Sequence, residues 1–112
     1  MENLRIVRTL EAIAPPRLAA EWDNVGLLVG DATGETDQAM LCIDLTEGVL
    51  GEAVRAGCGM VIAYHPPIFR PLQRVTASEA GVVYRAIRNG VSVYALHTAY
   101  DAAPDGTNDV LA

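Results

Sequence analysis

Over residues 4–13 apolar side chains recur every three or four positions, at Leu4, Val7, Leu10 and Ile13 with Ile6 beside them, while Glu2, Arg5, Arg8 and Glu11 fill the intervals. That spacing gathers the apolar groups on one stripe of a helix. The pair Pro15-Pro16 ends it, because proline disfavours helical backbone in the residue before it and has no N–H to donate. A short helical turn is expected over residues 16–20. Trp22-Asp23-Asn24 then reads as a polar turn leading into a brief apolar strand that closes on Gly30. Residues 31–38 carry Gly34, three acids and two threonines and read as a surface loop, with a hairpin connection as one form it could take.

Beyond this point the pattern becomes regular. Residues 39–45 form a nearly continuous apolar run of strand length. Residues 47–56 have helical spacing through Val49, Leu50, Ala53 and Val54, preceded by the capping-type Thr46 and stopped by Gly57. Residues 60–64 are a second apolar run. After the Pro66-Pro67 break, residues 78–89 read as a helix through Val82, Val83, Ala86 and Ile87, with Gly90 as its stop and residues 91–96 as a third buried strand. Strands apolar on both faces and joined by helices form parallel sheets with right-handed crossovers. The expected fold class is therefore α/β, a mostly parallel sheet flanked by helices. Its strands end on one shared edge, where open sheets of this kind place their ligands.

With 112 residues, 51% hydrophobic and 20% charged, the chain is a folded domain or a piece of one, and a second full domain is excluded. The longest mostly apolar stretch without charge, residues 57–64, falls far short of the roughly 20 residues a bilayer span needs, so no membrane partner is expected. The N-terminus has no basic start and apolar block of a secretory signal, which points to the cytoplasm. Cys42 and Cys58 lie in apolar surroundings with no C-x-x-C, and read as two buried free thiols. A net charge of −6 argues against nucleic acid as a partner.

The three strand ends deliver candidate chemistry to the shared edge. The first brings Asp44 and Thr46, the second Tyr64 and His65, the third His97 and, four residues on, Asp101. Imidazole and carboxylate are the usual ligands of Zn, Mn and Fe ions, and both histidines of the chain fall here. Pro66 fixes the backbone just past His65, which suits a ligand-bearing turn or simply a stiff strand exit. Asp101 is placed in a loop ahead of a helix starting near Thr107, where a turn-forming role is the alternative to a ligand. Asp44 is open as a ligand, as an acceptor for a histidine N–H, or as a loop acid near the helix cap; the structural roles are favoured. Trp22-Asp23-Asn24 would border a pocket or, more ordinarily, be a packed tryptophan beside a solvated turn. There is no G-x-S-x-G, P-loop or dinucleotide pattern.

Three segments taken in order, residues 21–30 from Glu21-Trp22-Asp23-Asn24 to Gly30, Tyr64-His65-Pro66-Pro67-Ile68-Phe69, and His97-Thr98-Ala99-Tyr100-Asp101-Ala102-Ala103-Pro104, resemble the signature of the GTP cyclohydrolase 1 type 2 family, also called NIF three-like. The resemblance implies His65 and Asp101 as ligands of a divalent metal ion of the Zn, Mn or Fe class, one or two ions in all. A histidine and a glutamate near the distant C-terminus of the family complete that site. Tyr64 stands where many members have a further histidine, which leaves the second ion in question; the Tyr-His-Pro-Pro-Ile-Phe form resembles the branch that includes eukaryotic members. His97 matches a histidine lining the site, which implies either proton transfer or support of a ligand from behind. The family further implies a hydrolase acting on a small-molecule substrate, a purine nucleotide such as GTP, through a metal-activated water, and a ring-shaped homo-oligomer, a hexamer. No Arg or Lys cluster marks a phosphate clamp, although Arg70 and Arg74 are near in sequence. The competing reading is a non-catalytic regulatory or scaffold protein in which metal is structural only. Because the chain stops at Ala112, barely a turn after the expected helix start, residues 1–112 read as the N-terminal part of a NIF three-like metal-binding α/β domain whose second half is absent.

Overall fold

A computed structural model describes residues 1–104 and Gly106. Helix α1 spans Asn3–Ile13 and is followed by a 3-10 turn at Pro16–Leu18, strand β1 at Gly26–Val29 and strand β2 at Ala39–Cys42. Then come α2 (Glu47–Arg55), β3 (Met60–Ala63), α3 (Val82–Arg88), β4 (Ser92–Ala95) and α4 (His97–Ala102). The start of α2 follows from its cap: the Thr46 hydroxyl accepts from the Val49 N–H at 3.2 Å, satisfying one of the donors a helix start leaves unpaired. It ends where Gly57 turns to φ +78, a conformation open to glycine at no steric cost.

The sheet has the order β1-β4-β3-β2, with β2, β3 and β4 parallel as the pattern predicts. β1 runs antiparallel against β4, so the sheet is mixed, and its register slips between Leu27 and Val29. β1 and β2 therefore lie on opposite edges, and residues 31–38 carry the chain across the sheet instead of closing a hairpin. In the parallel part the register is level: Cys42 stands beside Ala63, and Ala63 beside Ala95. That alignment brings three strand ends to one height.

Val61 and Val93 are fully covered by Leu50 and Ala53 of α2 and by Val83 and Ala86 of α3, with Val29 and Val91 completing the cluster. Burying aliphatic side chains of this size contributes roughly 1.5–3 kcal/mol each before the cost of ordering the chain. Met60 and Tyr94 are equally covered. Two expectations need correction. β2 is an edge strand with one bare face: Met40 and Cys42 pack on the core, while Leu41 and Ile43 are 75% and 62% exposed, so Cys42 is a half-buried thiol and only Cys58 a buried one. α3 begins at Val82 and not at residue 78, because Gly81 turns the backbone to φ +48 immediately before it. Among the described residues no helix is long and apolar enough to cross a membrane.

Candidate functional site

The backbone ladder continues past the ends of the three parallel strands and carries the site residues with it. The N–H of Tyr64 donates to Cys42 O at 3.0 Å, that of His65 to Ile43 O at 3.0 Å, and that of His97 to Tyr64 O at 2.9 Å. Tyr64, His65 and His97 are thus fixed by main-chain bonds before any side-chain contact is made. Asp101 sits in α4 and not in a loop. Four positions from His97, it lies on the same face of the helix, one turn on. The helix expected near Thr107 falls outside the described residues.

The side chains converge on one rim. The rings of Tyr64 and His65 are 4.9 Å apart between centroids, those of Tyr64 and His97 5.4 Å, and those of His65 and His97 5.2 Å. Tyr64 reaches past the histidines and donates its hydroxyl to Asp101 Oδ1 at 2.6 Å. Burial, reinforced by this bond and by the charge of Asp101, pushes the Tyr64 phenol up to about 12, so it stays protonated and acts as a donor. Tyr64 is thus in contact with all three predicted site residues, its ring beside those of His65 and His97 and its hydroxyl on Asp101. Of the roles open to Asp44, the structure places its carboxylate against His65 Nδ1 at 2.6 Å. The acceptor role is among those the sequence leaves open, but spacing does not say which histidine it serves, and the pairing joins two strand exits 21 residues apart.

The reading of Trp22-Asp23-Asn24 is inverted by the structure. Trp22 is 62% exposed, with its ring 6.0 Å from those of Phe69 and His97, whereas the Asp23 side chain has no exposure at all. Asp23 Oδ1 accepts from the Asn24 N–H at 2.8 Å and lies 2.9 Å from His97 Nδ1; Oδ2 accepts from the Thr98 N–H at 3.1 Å and the Thr98 hydroxyl at 2.5 Å. Burial by itself would raise its carboxyl, but the bonds from Thr98, His97 and Asn24 together outweigh it and hold the group below the ordinary aspartate value. The Thr98 hydroxyl also accepts from the Ala20 N–H at 2.9 Å, tying the loop to α4. His97 has φ +29, the one described residue other than glycine in the left-handed region.

A family model described as Duf34/NIF3 (NGG1p interacting factor 3) matches residues 1–112. The chain belongs to the DUF34/NIF3 family. It is 43% identical to NIF3-like protein 1 of Bos taurus over 115 aligned residues, which cover 100% of this chain and 30% of that protein. It is 37% identical to the GTP cyclohydrolase 1 type 2 homolog of Listeria innocua, over 92% of this chain and 28% of that protein. The crystal structure of a Bacillus cereus protein related to NIF3 superposes with a TM-score of 0.91 at 33% identity, covering 99% of this chain and 31% of that one. The chain thus spans about 30% of the length of the NIF3 relatives it matches.

The donor chemistry at this NIF3 rim suits a divalent ion in part. His65 has Nδ1 on a carboxylate, the arrangement that orients a metal-binding imidazole and leaves Nε2 for the ion. Asp101 offers its second oxygen while Oδ1 is held by Tyr64. Among the described residues, however, no group of three or more His, Cys, Asp or Glu side chains gathers as a cage. The rim of this chain supplies two fitting donors and not a closed site.

Proposed function

We propose that residues 1–112 supply one side of a divalent-metal hydrolytic centre, with His65 and Asp101 as ligands and His97 as the proton-transfer group, acting on a purine nucleotide. The observation that carries this reading is the convergence of both imidazoles and the Tyr64–Asp101 pair on one rim. When bound, the ion supplies a Lewis acid and a water acidic enough to attack at neutral pH. The residues of the chain do the rest: Asp44 and Tyr64 hold the two ligand side chains in direction, and His97 stands beside them to take or return a proton. The purine nucleotide comes from the name carried by relatives such as the Listeria protein, a GTP cyclohydrolase 1 type 2 homolog. We place the protein in the cytoplasm, in keeping with its two free thiols. We also propose assembly as a homo-oligomer, in keeping with the bare face of β2 at Leu41 and Ile43.

Calorimetric titration with Zn²⁺ and Mn²⁺, followed by turnover across a nucleotide panel, tests the proposal. His65→Ala and Asp101→Ala should each lower metal affinity at least about tenfold, and His97→Ala should abolish turnover while metal binding persists. Metal affinity unchanged in both ligand variants would refute the site. A regulatory scaffold in which metal is structural is the second reading; it draws on the family description as an interacting factor. Bound metal, no turnover on any nucleotide and indifference to His97→Ala would decide for it.

A further inference from the structure

Asp23 holds neither of the roles assigned above, yet its carboxylate is built into the site. Both oxygens are saturated with donors: Asn24 N–H at Oδ1, and the Thr98 N–H and hydroxyl at Oδ2. An ionised carboxylate has nothing to donate, so the imidazole nitrogen 2.9 Å away must itself carry the hydrogen. The His97 ring is also hemmed in. It lies edge-on to the rings of Tyr64 and His65, at 89° and 81°, and to Trp22 at 76°, so three rings surround it. The backbone beneath it is fixed by the same carboxylate, since the residue after the left-handed His97 is Thr98, which spends both its N–H and its hydroxyl on Asp23.

We propose that Asp23 is the positioning residue of His97, fixing the ring as the Nδ1–H tautomer so that Nε2 is the bare, proton-accepting nitrogen at the rim. A buried carboxylate on the far nitrogen is the device by which proton-transfer imidazoles are given one tautomer and one direction. The catalytic meaning of this assignment rests on His97 as the proton-transfer group. The tautomer itself is a property of the metal-free chain and stands or falls without the ion.

Long-range nitrogen–proton NMR correlations on the isotope-labelled chain, treated with chelator and held at a pH where the ring-nitrogen shifts report neutral imidazoles, read the tautomer directly. With only two histidines in the sequence, the His65→Gln variant identifies which pattern belongs to His97. The expected result is an Nδ1–H form favoured roughly tenfold or more, the ratio that a hydrogen bond to a charged acceptor supplies. Asp23→Asn, whose amide can donate to Nδ1, should reduce that ratio about tenfold. A predominantly Nε2–H ring, or an even mixture, in the unaltered chain overturns the proposal. So does a folded Asp23→Asn protein with the ratio unchanged. If Asp23→Asn does not fold, the tautomer of the unaltered chain together with that in Thr98→Val, which keeps the carboxylate and should keep Nδ1–H, decides the matter. Failure of metal binding in the preceding experiment leaves this readout intact, so the two proposals fail separately.

Discussion

Thr98→Val exchanges a hydroxyl for a methyl of similar size at the joint between the Asp23 loop and α4, and it tests whether that joint holds the rim together. The Thr98 hydroxyl donates to Asp23 Oδ2 at 2.5 Å and accepts from the Ala20 N–H at 2.9 Å. The first bond ends on an ionised carboxylate with no solvent exposure, and bonds of that kind are worth about 1.5–3 kcal/mol. The second leaves a half-buried N–H without its acceptor, roughly 1 kcal/mol more. The sum is about 2.5–4 kcal/mol, and no gain in packing offsets it because a methyl pressed against a carboxylate oxygen finds no apolar surface. Thr9→Val makes the matched control. Its hydroxyl donates to the Arg5 carbonyl at 2.8 Å on the exposed side of α1, and exposed substitutions of this kind stay within about 0.5 kcal/mol. Urea denaturation followed by circular dichroism gives the comparison. With a slope near 1.5 kcal/mol per molar for a chain of this size, Thr98→Val should lower the midpoint by about 1.5–3 M and Thr9→Val by less than about 0.5 M. Combined with Asp23→Asn the loss should be well short of additive, since both changes break the same bonds. A Thr98→Val midpoint no lower than that of Thr9→Val, or full additivity with Asp23→Asn, refutes the reasoning.

Gly30→Ala should destabilise by about 3 kcal/mol or more, because at φ +111 the new Cβ would fall 2.7 Å from the Cα of Ser92 in the centre of the sheet, whereas Gly57→Ala, at φ +78 with nothing within 4 Å, should cost only the backbone term of about 1 kcal/mol; equal midpoints in urea would show that the close approach does not matter. The Asp23 carboxyl is held below its unfolded value, so its contribution is present above about pH 4 and lost as pH falls through the folded value; Asp23→Asn should flatten the acid limb of the stability curve below about pH 4, and parallel limbs would contradict this. Tyr94→Phe should be neutral or stabilising by up to about 1 kcal/mol, because among the described residues its fully covered hydroxyl has no partner; a clear loss of thermal stability would reveal a bond to that hydroxyl. Nucleotide binding should require the divalent ion: quenching of Trp22, the single tryptophan, by GTP is expected with Mn²⁺ and absent with chelator, and equal quenching in both would be contrary.

The elements legible in the sequence are those whose period is local. The stripe through Leu4, Val7, Leu10 and Ile13 gives α1 within a residue, and the Thr46 cap with the Gly57 stop gives α2. Within the runs at residues 60–64 and 91–96, the strands Met60–Ala63 and Ser92–Ala95 are buried on both faces as read. The run at residues 39–45 misleads because composition reports what a strand is made of and not which neighbour covers it; Leu41 and Ile43 look like core residues and face outward from the edge. The antiparallel β1 is hidden for a related reason, since strand direction across a sheet depends on the path of residues 31–38 and not on their polarity. Asp101 was not legible as a helical residue, because α4 is six residues long and begins at a left-handed histidine, where no cap residue announces it. Asp23 was the least legible of all. A polar side chain beside tryptophan in a turn looks solvated, and the donors that bury it lie 74 and 75 residues away at His97 and Thr98. The only local hint is the order of the motif: a carboxylate in one segment and a His-Thr pair in another, three donors for one acceptor.

The charge of the rim orders the events that can occur there. Three carboxylates, Asp23, Asp44 and Asp101, meet it, and each is matched to one ring: His97, His65 and Tyr64. The partner rings are neutral donors when the histidines are unprotonated, so the pairs satisfy hydrogen bonds without cancelling charge. The chain as a whole carries a net charge of −6, and the nearest arginine in sequence to His65, Arg70, lies outside these pairs. A nucleotide triphosphate brought to such a rim would meet like charge. A divalent cation meets the opposite field. Under the proposed function the same carboxylates would draw in a divalent ion and repel a free phosphate, so that a nucleotide would bind after the metal. What each ring leaves over after pairing, the second nitrogen of His65 and of His97, differs by its anchor: His65 hangs on an exposed aspartate and His97 on a fully covered one. An imidazole oriented by an exposed carboxylate stands open to an ion arriving from solvent, whereas one on a covered carboxylate keeps its direction while a proton comes and goes, which is the ground on which we propose His65 for the metal and His97 for the proton.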